Sequence, residues 1–125
     1  MTRFVMTLDQ SVDLIEYAII KGESGDTVIS ELVSLKVKDL IEIFSEKYNK
    51  SIKVTGLRPG EKLLESLINE SQSGRIEKNG KYTHIKSVFS YKKTIDAANL
   101  RDYNSTINPL TKQELKDYLL KLELL

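Results

Sequence analysis

Gly56-Leu57-Arg58-Pro59-Gly60-Glu61-Lys62 gathers a guanidinium, a ring-locked backbone, a permissive glycine, a carboxylate and an ammonium into one short stretch. Pro59 fixes its own φ and Gly60 tolerates φ > 0, so the chain is expected to turn here and be held. Such a turn presents Arg58, Glu61 and Lys62 from a stiff loop. A guanidinium grips a pair of phosphate oxygens through parallel hydrogen bonds. An ionised carboxylate accepts from neighbouring hydroxyls. The set suits a phosphate-bearing ligand with sugar hydroxyls. Plainer roles stand beside these: a solvated arginine on a turn is the commoner state of an isolated arginine. Glu61 also fits the acidic first turn of a following helix, and Lys62 reads as a solvated charge.

Working outward, Ile52-Lys53-Val54-Thr55 alternates like a half-buried strand leading into the turn. Residues 61–69 are expected to form a short helix with Leu64, Leu67 and Ile68 turned inward. Upstream, Met1 to Thr7 reads as extended. Thr7 with Gln10 is a capping box opening a helix along Leu8, Val12, Ile15 and Ala18 or Ile19, and Gly22 stops it. Thr27-Val28-Ile29-Ser30 reads as a short strand, and Ser34 as the cap of a helix carrying Val37, Leu40, Ile41 and Phe44. Downstream, Ser71-Gln72-Ser73-Gly74 is loop chemistry. Asn79-Gly80 signals a hairpin between residues 75–78 and 81–85. Residues 87–108 show no clean period and are expected to be mostly irregular. Thr111 with Glu114 caps a last helix whose stripe is Leu115, Tyr118, Leu119 and Leu122. The fold expected is α+β, short strands interleaved with three main helices and no complete Rossmann sheet. The apolar helix faces exceed what so few short strands can cover, so the chain reads as part of a larger α/β protein.

A chain of 125 residues, 40% hydrophobic and 30% charged, fits an ordinary globular domain with a real core. The net charge of +1 argues against a nucleic-acid binder driven by bulk charge. With no cysteine and one histidine, His84, the chain offers no thiolate chemistry and no multi-histidine metal site. His84 reads as a strand-surface residue. Arg3, set among Phe4, Val5 and Met6, must find an anion or snorkel to solvent, and the two roles weigh about equally. Tyr103-Asn104-Ser105 is turn-like and polar. No apolar run approaches membrane-spanning length, and a cytoplasmic protein is expected. The glycines never fall into a G-x-G-x-x-G array.

Three segments together resemble one family. Met1-Thr2-Arg3-Phe4-Val5-Met6-Thr7 with Asp9 to Ala18, then Gly56-Leu57-Arg58-Pro59-Gly60-Glu61-Lys62-Leu63 with Glu65 and Leu67, then Arg101-Asp102-Tyr103-Asn104-Ser105 with the final helix, are similar to segments of CapD-type polysaccharide biosynthesis proteins. These are extended short-chain dehydrogenase/reductase enzymes acting as UDP-sugar 4-epimerases or UDP-N-acetylglucosamine 4,6-dehydratases. The likeness covers nearly the whole chain, and its R-P-G-E-K motif is the specific part. It implies that residues 1–125 form the nucleotide-sugar-binding C-terminal domain, within which the residues themselves mark 70–109 as an irregular region. It implies that Arg3 and Arg58 flank the UDP pyrophosphate and that Glu61 approaches the ribose hydroxyls. No catalytic or metal-binding residue is expected in this chain. NAD(P) and the catalytic Tyr-x-x-x-Lys pair are expected on a Rossmann part outside it, making the chain a split-gene product, a truncation or a remnant. The partners implied are a UDP-sugar and either a separately encoded Rossmann chain or a further copy of this one, with neither nucleic acid nor membrane. The competing expectation is an interaction module in which the Arg58 turn is incidental.

Overall fold

Thr7 starts the first helix as its sequence predicts. Its hydroxyl accepts from the Gln10 N–H at 3.1 Å, and the Gln10 side chain accepts from the Thr7 N–H at 2.8 Å. Two N–H groups with no partner inside the helix are thereby satisfied. The computed structural model describes residues 1–93 and 100–125, so part of the expected irregular stretch, 94–99, lies outside the described residues. The described elements are β1 (Thr2–Val5), α1 (Leu8–Lys21), β2 (Thr27–Ser30), β3 (Val33–Lys36), α2 (Val37–Tyr48), β4 (Ser66–Ile68), α3 (Glu70–Ser73), β5 (Ile76–Asn79), β6 (Tyr82–Ile85), β7 (Tyr103–Asn104) and α4 (Lys112–Lys121). Among the described residues every strand pairing is antiparallel, in small sheets. The fold is α+β without a Rossmann sheet, and it divides into two compact units.

The first unit comprises Met1–Val5, Val33–Glu65 and Ser105–Leu125. β1 pairs with β3, Arg3 opposite Leu35 and Phe4 opposite Ser34. β3 runs straight into α2, so Ser34 is a strand residue and not the expected helix cap. Lys36 takes the cap position and makes no side-chain cap bond. The Ser34 hydroxyl is buried without a hydrogen-bond partner among the described residues, while its carbonyl accepts from the Leu110 N–H at 2.8 Å. The core is Leu35, Ile43, Leu115 and Leu119, with Val5, Val37, Leu40, Phe44 and Leu110 packed on it. Lys112 of α4 reaches Glu42 and Glu46 of α2 at 3.1 and 2.7 Å, laying an ion-pair rim over that core.

Expectations for three stretches fail here, one of them the region 70–109, expected to be irregular with loop at 71–74, where α3, β5, β6 and β7 form. Residues 52–55 are not a strand, and Val54 is 88% exposed. Alternation supplies a face, but a strand also needs a ladder partner, and none is present among the described residues. Residues 61–69 are not a helix either. The Glu65 backbone is bonded to Ser105 in both directions, and Ser66–Ile68 then pairs with β7. Asn69 caps the next short helix, taking Gln72 as its capping-box partner. A helix cap has extended φ/ψ, so the chain cannot already be helical when it arrives there.

The second unit comprises Met6–Leu32 and Ser66–Asn104. Its sheet has the order β2-β6-β5. The β5–β6 hairpin closes at Gly80, whose φ of +61° only glycine adopts without strain. The Asn79-Gly80 signal is therefore borne out, with the turn centred one residue later. α1 lies on the face carrying Tyr82 and His84: the Tyr17 ring stacks on Tyr82 at 3.8 Å, and its hydroxyl meets His84 Nε2 at 2.9 Å. His84 is thus buried rather than on a strand surface. Its Nδ1 faces Asp26 at 3.6 Å, and Asp26 also takes the Lys86 ammonium at 2.6 Å. The opposite side of α1 is bare. Leu8, Val12, Ile15 and Ile19 recur at helical spacing and stay exposed.

The Asp26 cluster makes this unit acid-sensitive. Burial pushes the Asp26 carboxyl up, but the Lys86 ammonium and the Ser87 amide outweigh it and hold it below its ordinary 3.8. Lys86 is raised above its ordinary 10.5 by Asp26 and Glu23. A depressed carboxylate contributes stability that is complete above its unfolded value and is lost as pH falls through its folded one. The raised ammonium contributes below its unfolded value and loses that contribution as pH rises through its folded one. Asp26→Asn is therefore expected to melt earlier than the wild type near neutrality. The gap should close as pH drops below 3.8, and thermal melts of both proteins across that range would check it. A gap independent of pH would contradict the assignment.

Candidate functional site

The Arg58 turn has the geometry its residues dictate. The Glu61 N–H donates to the Arg58 carbonyl at 3.1 Å, and Gly60 holds a φ of +82°. With proline second and a positive φ third, this is a type II turn. A Cβ on Gly60 would meet nothing within 4 Å, so the demand for glycine is conformational rather than steric. The Glu61 side chain closes the turn a second time: its Oε2 accepts from the Arg58 N–H at 3.1 Å. Two bonds across three residues stiffen the loop. Among the described residues the Arg58 guanidinium itself has no hydrogen bond or ion pair, and it stands exposed.

Arg3 is placed differently. Its Nη1 donates to the Thr2 carbonyl at 2.7 Å, its Nη2 to the Lys62 carbonyl at 2.8 Å, and its Nε lies 3.5 Å from Glu65 Oε1. Through these contacts Arg3 fastens the end of the Arg58 loop. The Thr2 N–H bonds the Leu63 carbonyl at 2.9 Å beside it. The structure therefore ties Arg3 to the loop that carries Arg58. Glu61 spends one carboxylate oxygen on the turn. Lys62 is exposed, as expected of a solvated charge.

Sequence reasoning missed Glu65 and Ser105. Ser105 is fully buried, and its Oγ accepts from the Glu65 N–H at 2.9 Å and meets the Thr2 hydroxyl at 2.7 Å. Glu65 Oε2 accepts from the Phe4 N–H at 3.3 Å. Only the spacing of Glu65 after the turn hinted at it; Ser105 gave no signal of burial.

The residues present do not fit a dinucleotide. The N-termini of α1 and α4 are closed by their own threonine capping boxes, and among the described residues no glycine-rich turn opens α2, whereas a dinucleotide-binding fold sets its pyrophosphate on an open, glycine-rich helix N-terminus. The resemblance places the catalytic Tyr-x-x-x-Lys pair outside this chain, but the spacing is not absent from it. That spacing does occur twice, in Tyr17-Ala18-Ile19-Ile20-Lys21 and in Tyr82-Thr83-His84-Ile85-Lys86. The second begins in a strand, where four residues span about 13 Å, too far for two groups to act on one proton. Lys86 is moreover bound to Asp26 and Glu23. In the first, the Tyr17 hydroxyl is taken by His84. Neither pair is arranged for catalysis.

No cluster of three or more potential metal-ligating side chains exists among the described residues, and none of their helices is long and apolar enough to cross a membrane. The second unit holds a cavity of about 390 Å³ with Ile29, Ile68, Ile76 and Tyr103 in its lining. None of Arg3, Arg58 or Glu61 lines it. The Arg58 turn stands exposed on the surface.

A small α+β fold of short antiparallel strands and a stiff arginine turn define the class. The chain belongs to the polysaccharide biosynthesis protein family, whose model matches residues 1–87. It is similar to the UDP-glucose 4-epimerase of Rickettsia felis, 34% identical over 98% of this chain and 39% of that protein. The enzyme of the same description from Rickettsia bellii is 36% identical over the same shares. An uncharacterized membrane protein of Methanocaldococcus jannaschii is 38% identical over 62% of this chain and 26% of its own length. The X-ray structure of Pen from Bacillus thuringiensis superposes with a TM-score of 0.84 at 30% identity, covering all of this chain and 40% of that one. The chain thus spans about two fifths of the length of the epimerase relatives.

Proposed function

We propose that this chain binds the diphosphate end of a UDP-sugar as the non-catalytic, nucleotide-sugar-holding part of a 4-epimerase or 4,6-dehydratase of polysaccharide biosynthesis. One observation carries the reading. Of Arg3 and Arg58, only Arg58 has a guanidinium without a hydrogen bond or ion pair among the described residues, and it is presented by a turn closed twice by Glu61. A free guanidinium on a rigid support is pre-organised for a phosphate. The second oxygen of Glu61 is assigned to the ribose hydroxyls. Hydride chemistry needs a held cofactor and a positioned base. Residues other than these 125 have to supply both, and the bare α1 stripe of Leu8, Val12, Ile15 and Ile19 is the face against which such a part would pack. Titration with UDP tests the proposal: saturable binding that Arg58→Ala weakens supports it, and an absent or unchanged signal sinks it.

That same stripe, with exposed Val54, Leu57 and Leu63, favours a second reading, an interaction module that does not bind nucleotide. It predicts concentration-dependent self-association in sedimentation, indifferent to UDP.

A further inference from the structure

We infer that Arg3, Glu65 and Ser105 act as positioning residues that set the Arg58 turn for its ligand, with Glu65 as the keystone; this rests on the nucleotide-sugar reading above. The three belong to one connected network within the first unit. Glu65 faces Arg3 Nε with one oxygen and accepts from the Phe4 N–H with the other. It thereby fixes the plane of a guanidinium whose remaining nitrogens hold the Thr2 and Lys62 carbonyls. Ser105 pins the Glu65 backbone from both sides: its Oγ accepts from Glu65 and its N–H donates to the Glu65 carbonyl at 2.8 Å. Beside the single Thr2 N–H bond to the Leu63 carbonyl, this set joins the β1–β3 ribbon to the C-terminal side of the turn. Residues 50–64 have no regular secondary structure and are exposed, so the network and the turn's own two bonds decide where Arg58 stands.

The charge of Glu65 makes the idea decidable. If Arg3 served the ligand by its charge alone, Glu65 would only dampen it. Neutralising Glu65 would then bring a dianionic ligand in more tightly. If Glu65 instead orients Arg3 and the loop, the same change weakens binding. The experiment is a UDP titration followed by ¹⁵N NMR on the wild type, Glu65→Gln, Ser105→Ala, Arg3→Lys and Arg58→Ala, with amide exchange of Thr2, Glu61 and Leu115 read in each.

Glu65→Gln is expected to weaken UDP binding about tenfold, the scale of one lost charge-assisted hydrogen bond. It should speed exchange at Thr2 while leaving the core amide of Leu115 protected. Arg3→Lys, which keeps the charge and loses the fork, should not rescue. Tighter or unchanged binding in Glu65→Gln overturns the positioning role, and so does a freed loop that binds UDP as before. If Arg58→Ala is also without effect, or the wild type ignores UDP, the nucleotide reading itself falls. If Arg58→Ala weakens binding and Glu65→Gln does not, only the positioning role falls.

Discussion

Leu115→Ala is expected to destabilise the first unit by about 2–5 kcal/mol, the range for deleting a fully buried leucine where the surroundings collapse only in part. Leu115 is 0% exposed and sits among Leu35, Ile43 and Leu119, where α4 meets α2 over the β1–β3 ribbon. Those neighbours come from three elements, β3, α2 and α4 itself, so the void has no single neighbour free to fill it. Against a typical domain stability of about 5–15 kcal/mol, such a loss is a large fraction of the whole. Leu120, next in sequence and 51% exposed on the same helix, is the internal control; Leu120→Ala should stay within about 0.5 kcal/mol of the wild type. Urea unfolding followed by circular dichroism would measure both. Equal effects from the two variants would mean that α4 does not pack as described.

Arg58→Ala is expected to weaken UDP binding by about 10- to 150-fold, the equivalent of roughly 1.5–3 kcal/mol for hydrogen bonds to a charged group. The variant should melt with the wild type, because the Arg58 side chain has no partner to lose among the described residues and is exposed. Separation of affinity from stability is what distinguishes a ligand contact from a structural one. Arg58→Lys should fall between the two: it keeps the charge but cannot offer the planar fork that spans two phosphate oxygens. Rising salt should weaken wild-type binding more than that of the alanine variant, since screening acts on the ion pair. Isothermal titration of the three proteins would show the order.

Much of the fold could be read because its decisive signals are local. The capping boxes at Thr7 and Thr111, the stop at Gly22 and the Asn79-Gly80 hairpin each depend on residues a few positions apart, and each appears as expected. The failures share one cause, the presence or absence of a distant partner. Ser34 has the chemistry of a cap, yet β1 claims its backbone from thirty residues upstream. Residues 66–68 are apolar enough for a helix face, but Tyr103 and Asn104 make them a strand. Val54 alternates correctly and finds nothing to pair with.

The same division runs through the site. The Arg58 turn is built from neighbours, and its type followed from Pro59 and Gly60. The placement of Arg3 depends on Lys62 and Glu65, some sixty residues away, and residue types left its role even between anion partner and snorkelled surface charge. His84 went unrecognised as a buried residue because its partners, Tyr17 and Asp26, are supplied by α1 and the segment before β2.

The central claim is that the Arg58 turn grips the diphosphate of a nucleotide-sugar. The most direct measurement compares UDP with uridine, following the backbone amides of residues 56–62 of the wild-type protein. The account predicts saturable shifts at Arg58, Gly60 and Glu61 with UDP and far smaller ones with uridine, which lacks the phosphates. Equal responses to the two ligands, or shifts that bypass this turn, would contradict it.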